Sequence, residues 1–184
     1  MEDTTISIIG IIVAAILMFI VPLVLIADRA DDLYQLTAQT ATVDFVDDVI
    51  RSGKITSESY QKYILALETT GNTFNIDIEL KILDDNSAKH TTDTTGQIGI
   101  NTYYSLYTSQ IEDKLSESDK RDDGELNDTG KIVLKEGDEI YVTASNSSKT
   151  LSQTLKDVYY KIKGENLHII VATASGTIAI NGST

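Results

Sequence analysis

Residues 6–26 read ISIIGIIVAAILMFIVPLVLI, a run of 21 without one charge. A helix rises 1.5 Å per residue, so about 20 apolar residues cover the hydrocarbon core of a bilayer. Helices of soluble domains carry a polar face, and this run has none. A cleaved secretory signal needs a basic start and a short apolar core. Here the flank is Met1-Glu2-Asp3 and the run is long. The stretch predicts one transmembrane helix, with the lipid bilayer as the first partner.

Orientation is not fixed by charge. The positive-inside rule counts Lys and Arg near the ends of a span. No Lys or Arg precedes the run, and Arg29 follows it among Asp28, Asp31 and Asp32. The Thr/Ser/Asn-rich remainder favours a short N-terminus inside and a C-terminal domain outside the cytoplasm. Pro22 is the single proline. It removes one helical hydrogen bond and bends the axis. The bend is either incidental or built into a helix that packs against copies of itself. Gly10, Ala14 and Ala15 are small enough to let another helix approach, without forming G-x-x-x-G.

Beyond the run, residues 30–50 contain no Pro or Gly. Leu33, Leu36, Val43, Val46 and Ile50 recur at three-, four- and seven-residue steps, and Phe45 and Val49 widen the stripe. Arg51-Ser52-Gly53 supplies a basic last turn and a glycine stop. One helix over residues 4–52, roughly 70 Å long, is predicted to be both anchor and stalk. The chain divides into residues 1–53, the helix, and 54–184, the head.

In the head, Thr56 or Ser57 caps a helix with Tyr60, Tyr63, Ile64 and Leu67 on its apolar face and Gly71 at its end. Phe74, Ile76, Ile78, Leu80 and Ile82 alternate with polar residues, the pattern of a half-buried strand. Residues 84–101 are polar and irregular. A short helix is expected within 102–115, with Tyr104, Tyr107, Ile111 and Leu115 on one side. An acidic loop, 116–130, leads to a strand at 132–134, a turn at Glu136-Gly137-Asp138 and a strand carrying Ile140, Val142 and Ala144. A helix over about 149–163 turns Leu151, Leu155, Val158 and Ile162 inward. Residues 167–180 form one or two strands, broken near Gly176. The order predicts an α+β fold: a long N-terminal helix, then a small antiparallel sheet packed with helices.

The net charge of −13 excludes nucleic acid, whose phosphates would repel the chain. With no cysteine, neither disulfides nor thiolate zinc sites exist. The two histidines, His90 and His168, read as solvent-facing or packing residues. The loop 119–128 has oxygen ligands enough for calcium but fails the EF-hand spacing, since Lys120 and Arg121 intrude. A solvated loop is the plainer reading, and calcium stays open. Without a G-x-S-x-G, a phosphate loop or a His-rich motif, no enzyme and no cofactor are expected. Asn127, Asn146 and Asn181 match the short glycosylation sequon, which matters only in a glycosylating host. Tyrosines outnumber phenylalanines nine to three, and they cluster, as suits a core rim or a subunit contact surface.

A proline-containing membrane helix running into a small α+β head resembles type IV pilins and pseudopilins. The text of residues 42–56 (TVDFVDDVIRSGKIT), the helix at 60–71, the strand at 74–82, Gly137-Asp138 and Leu151-Ser-Gln-x-Leu155 is similar to Tad-like (tight-adherence) pilus-associated membrane proteins of Firmicutes. The resemblance implies a structural subunit or minor component of a pilus or secretion apparatus. Its partners would be copies of itself and other pilus components, at the cell membrane or in a surface filament. Pilin precursors carry a basic leader ending in glycine and a glutamate early in the mature helix. Here Glu2 and Asp3 are the nearby acids. Either the chain stays anchored unprocessed, or the sequence starts after processing. In a filament, Glu2 or Asp3 would pair with a neighbour's N-terminal amine and set axial register. The competing expectation is a membrane-tethered adhesin, sensor or scaffold that never polymerises.

Overall fold

The first helix, α1 (Glu2–Ser52), is unbroken over 51 residues, with Pro22 inside it. The computed structural model describes residues 2–83, 103–116, 130–154 and 169–182. The apolar half of α1 stands clear of the rest of the chain, and its most apolar window is wholly unburied. By length and composition α1 is able to cross a membrane. Its last third is the spine of the head.

α1 stops where the sequence predicts. Gly53 has φ +65° and donates its N–H to the Val49 carbonyl at 2.8 Å, the left-handed cap only glycine adopts cheaply. The chain reverses through β1 (Lys54–Thr56) into α2 (Ser57–Glu68). Thr56 and Ser59 close a reciprocal capping box, each side-chain oxygen accepting from the other's backbone N–H at 3.1 Å.

The remaining elements are β2 (Phe74–Leu83), β3 (Tyr103–Tyr107), α3 (Thr108–Ser116), β4 (Lys131–Val133), β5 (Glu139–Asn146) and β6 (Val171–Thr177). The main sheet has the order β3-β2-β5-β6, antiparallel throughout, and β1 pairs with β4 in a two-stranded ribbon. This is the expected α+β architecture with one more sheet strand and a short ribbon added.

The core forms between sheet and helices. Phe45, Val46 and Val49 of α1 meet Tyr60, Tyr63 and Leu67 of α2, Ile78 and Leu80 of β2, Ile140 and Val142 of β5, and Ile111 and Leu115 of α3. Phe45 stacks on Tyr63 with ring centroids 4.7 Å apart. At the far end of the sheet, buried Asp138 staples three segments. Its carboxylate accepts from Leu83 N at 2.9 Å and Lys135 N at 2.7 Å, and its carbonyl accepts from Ile178 N at 2.7 Å.

Several expectations are corrected. The short helix expected within 102–115 is α3, with Ile111 and Leu115 buried, but Tyr104 and Tyr107 precede it and are not on its face. Tyr103–Tyr107 is a strand because Leu106 faces Leu80 and Tyr104 faces Ile82 across β2, pairings no local pattern announces. The break expected near Gly176 falls one residue on, where β6 ends at Thr177; Gly176 itself lies against the Ile50 side chain of α1. Leu151, expected inward, is 60% exposed. His90, His168, the 119–128 loop, Asn127 and residues 155–168 lie outside the described residues.

Candidate functional site

The stripe expected on α1 splits between two faces. Val46 is buried and Ile50 half-buried, turned to the head with Phe45 and Val49. Leu33 (62%), Leu36 (63%) and Val43 (38%) are exposed instead. The head-facing positions of the upper stalk are filled by Ala38 and Thr42. Small residues win there because the helix lies close to its neighbours: Thr42 shares a 3.0 Å hydrogen bond with the Tyr63 hydroxyl.

The outward residues form a seam of their own. Phe19, Pro22, Ile26, Arg29, Leu33, Leu36, Thr40 and Val43 are all exposed and alternate in steps of three and four. That 3.5-residue period keeps one side of a helix against a partner helix over many turns. Residues 4–23 are exposed on every side, and past them the apolar line continues through Ile26, Leu33, Leu36 and Val43, interrupted by Arg29 and Thr40. Pro22 lies on it. Gly10 lies in the membrane run, where a Cβ would meet nothing within 4 Å, so a partner has room to approach. Glu2 and Asp3 are in the first turn of α1.

The face of α1 beside the seam is clamped to β6. Gln35 exchanges hydrogen bonds with the backbone of Val171, and Gln39 does the same with Thr173. Lower down, Ser152 donates to Asp28, and Thr150 Oγ1 donates to Asp31 Oδ2 at 2.9 Å. Polar residues thus fix the stalk's rotation about its own axis, so the seam's outward direction is set by the fold. Sequence periodicity missed these four residues because their partners lie more than 100 positions away.

The flanks of the seam are acidic. Asp44, Asp47 and Asp48 are exposed beside an open groove of about 360 Å³ between α1 and α2, also lined by Arg51 and Lys62. The Arg51–Asp47 pair, 3.9 Å apart and solvent-exposed, adds little stability. Burial, and then a 2.7 Å hydrogen bond to Glu112, pushes the Tyr60 phenol far above its ordinary range. Burial likewise raises Tyr63.

The tyrosine cluster divides. Tyr60 and Tyr63 belong to the core, while Tyr103, Tyr104 and Tyr107 are exposed on β3, an edge strand. Asn146 is committed to the fold: its amide donates to Ser148 O at 2.8 Å and accepts from Ile170 N at 3.0 Å. Among the described residues no group of three or more His, Asp or Glu is placed to hold a metal ion.

The chain matches no family model, no curated protein and no solved structure. The surfaces just described therefore carry the functional argument.

Proposed function

We propose that this chain is a non-enzymatic, pilin-like structural subunit or minor component of a Tad-like or type IV-like pilus or secretion apparatus. The observation that carries this reading is that Leu33, Leu36 and Val43 stay exposed on α1 beyond the membrane run, in line with Phe19, Pro22 and Ile26. A tether alone has no use for exposed leucines beyond the bilayer. Covering each one with a neighbouring helix is worth about 1.5–3 kcal/mol, which gives a second copy reason to pack there. In this account the chain crosses the cell membrane once, with the head outside the cytoplasm. On assembly, the surface that faced lipid and water turns to other subunits. Glu2 and Asp3 then pair with a neighbour's N-terminal amine, since a charge buried among apolar helices needs a partner.

The experiment is electron microscopy of filaments sheared from cells, with mass spectrometry of the N-terminus of this chain. Filaments containing the chain, and lost when Leu33→Asp and Leu36→Asp are combined, support the reading. Filaments lacking the chain sink it. The second reading is a membrane-tethered binding, adhesion or scaffold protein that does not polymerise. The three exposed tyrosines on the β3 edge favour it, because tyrosine-rich patches suit partner recognition. Under that reading the chain stays in the membrane fraction, and the aspartate pair changes nothing in its localisation.

A further inference from the structure

The height of the head above the bilayer is set by contacts on α1. Residues 6–26 rise about 30 Å, the thickness of the hydrocarbon core, and the headgroup layer adds roughly 5–7 Å on each side. Asp28 and Asp31 lie two and five residues past Ile26, about 3 and 8 Å beyond the core at 1.5 Å per residue. Ser152 and Thr150 are hydrogen-bonded to those two carboxylates. Leu151, between them in the chain, is therefore held at headgroup level.

A second residue reaches the same depth by a separate route. β6 runs in the same direction as α1, since Gln35 holds Val171 and Gln39 holds Thr173. Val171 sits beside a residue nine positions past Ile26, about 13 Å beyond the core. The strand stays extended below it, because Asn146 and Ile170 are joined by a backbone hydrogen bond at 3.0 Å. Ile169 is two residues lower, about 7 Å down at 3.3 Å per residue, and so also reaches the headgroup layer.

Both side chains are exposed where their neighbours are buried. Leu151 is 60% exposed between Thr150 and Ser152 at 3% each, and Ile169 is 56% exposed next to Ile170 at 4%. Arg29 is exposed at the same level of α1. Two aliphatic side chains and one guanidinium at this depth fit one occupant, a lipid: the glycerol-proximal start of its acyl chains for the former and its phosphate for the latter.

We propose that the base of the head is seated in the lipid headgroup layer through Leu151 and Ile169, with Arg29 on a phosphate. This rests on α1 spanning the membrane. The chain's net negative charge repels anionic lipid, so among the described residues the contact falls to these apolar and cationic groups. The seat stops the head from swinging about the point where α1 leaves the bilayer. It presents Leu33 and Leu36 at a constant height to the next subunit.

The absence of native cysteine makes the test direct. Full-length Leu151→Cys, Ile169→Cys, Leu17→Cys and Leu65→Cys variants carry an environment-sensitive fluorophore in phosphatidylcholine vesicles. Leu65 is the control, an exposed leucine on α2 far from the exit point. Labels at 151 and 169 are expected to be quenched by a headgroup-level lipid nitroxide roughly twofold more strongly than the label at 65, and to be shielded from aqueous iodide. A label at 17 quenched by a nitroxide deep in the acyl chains, with 151 and 169 behaving like 65 towards the headgroup nitroxide, overturns the seat and leaves the span standing. A label at 17 that also behaves like 65 overturns the span, and the seat with it.

Discussion

Gln35 of α1 and Val171 of β6 exchange two hydrogen bonds: Gln35 Nε2 donates to the Val171 carbonyl at 2.8 Å, and Val171 N donates to Gln35 Oε1 at 3.1 Å. One turn on, Gln39 repeats the exchange with Thr173 at 2.9 and 3.3 Å. The repeat works because four helical residues rise about 6 Å and two strand residues about 6.6 Å. β6 is an edge strand whose outward backbone groups would otherwise invite another chain. Two glutamine side chains complete it.

Replacing Gln35 and Gln39 with Ala removes four hydrogen bonds. Each solvent-accessible bond contributes about 0.5–1.5 kcal/mol, so the double variant should lose about 2–6 kcal/mol in urea unfolding of detergent-solubilised protein. It should also associate with rising concentration through the bared edge, as read by size-exclusion chromatography. Gln35→Glu keeps the size but sets a carboxylate against the Val171 carbonyl. Its loss should shrink as the pH falls below about 4 and protonation restores a donor.

Two glycines share a left-handed backbone but differ in their surroundings. Gly53 (φ +65°) would place a Cβ 2.5 Å from Gly182 N, at a backbone crossing where Leu134 N donates to Gly53 O. Gly71 (φ +74°) has nothing within 4 Å. Gly71→Ala should cost about 1 kcal/mol, the backbone penalty alone. Gly53→Ala adds the displacement of the chain near Gly182 and should cost more than twice as much, a ranking that thermal unfolding of the two variants checks directly.

The head should weaken in alkali. Burial, and then the bond to Glu112, raises the Tyr60 phenol above the 10.0 of a free tyrosine. The folded state therefore holds a proton that the unfolded chain releases. The stabilisation is complete below pH 10 and falls as the pH rises above it. Tyr63, raised in the same direction and hydrogen-bonded to Thr42, adds to the slope. Tyr60→Phe should be less stable at neutral pH by about 1 kcal/mol, yet lose less stability between about pH 9 and 11. Unfolding followed by tyrosinate absorbance tests both halves.

Stability and assembly should separate at Leu33 and Leu36. Both are exposed, so Leu33→Asp with Leu36→Asp should leave urea unfolding of the head within about 0.5 kcal/mol of wild type. Phe45→Ala, beneath the Tyr63 ring, should cost about 3–5 kcal/mol. Chemical crosslinking of membranes holding each variant then distinguishes a lost contact between copies from a damaged head.

Much of the fold was legible because its signals are local. An uncharged run needs only its length to mark a helix able to cross a membrane. Gly53 stops α1 and Gly71 turns the chain after α2 through a left-handed backbone, Thr56 and Ser59 cap α2 within three residues, and the alternation from Phe74 to Ile82 declares β2. β3 was not legible, since YYSLY carries apolar residues on both sides and only its register against β2 makes it a strand.

On α1 the sequence determined that the helix is long, uncharged over residues 6–26, and carries apolar residues at helical spacing beyond them. It did not determine which of those later residues serve the head and which face away. Leu33 and Val46 look alike to a periodicity, because apolar residues occupy both sides of the stalk. The tertiary structure decided between them through groups that periodicity does not weigh: Gln35, Gln39, Asp28 and Asp31 bind backbone and hydroxyl partners over 100 residues away and fix the helix's rotation. Once that rotation is fixed, Val46 is core and Leu33 is surface, since a side chain's direction follows from its helix and not from its own chemistry.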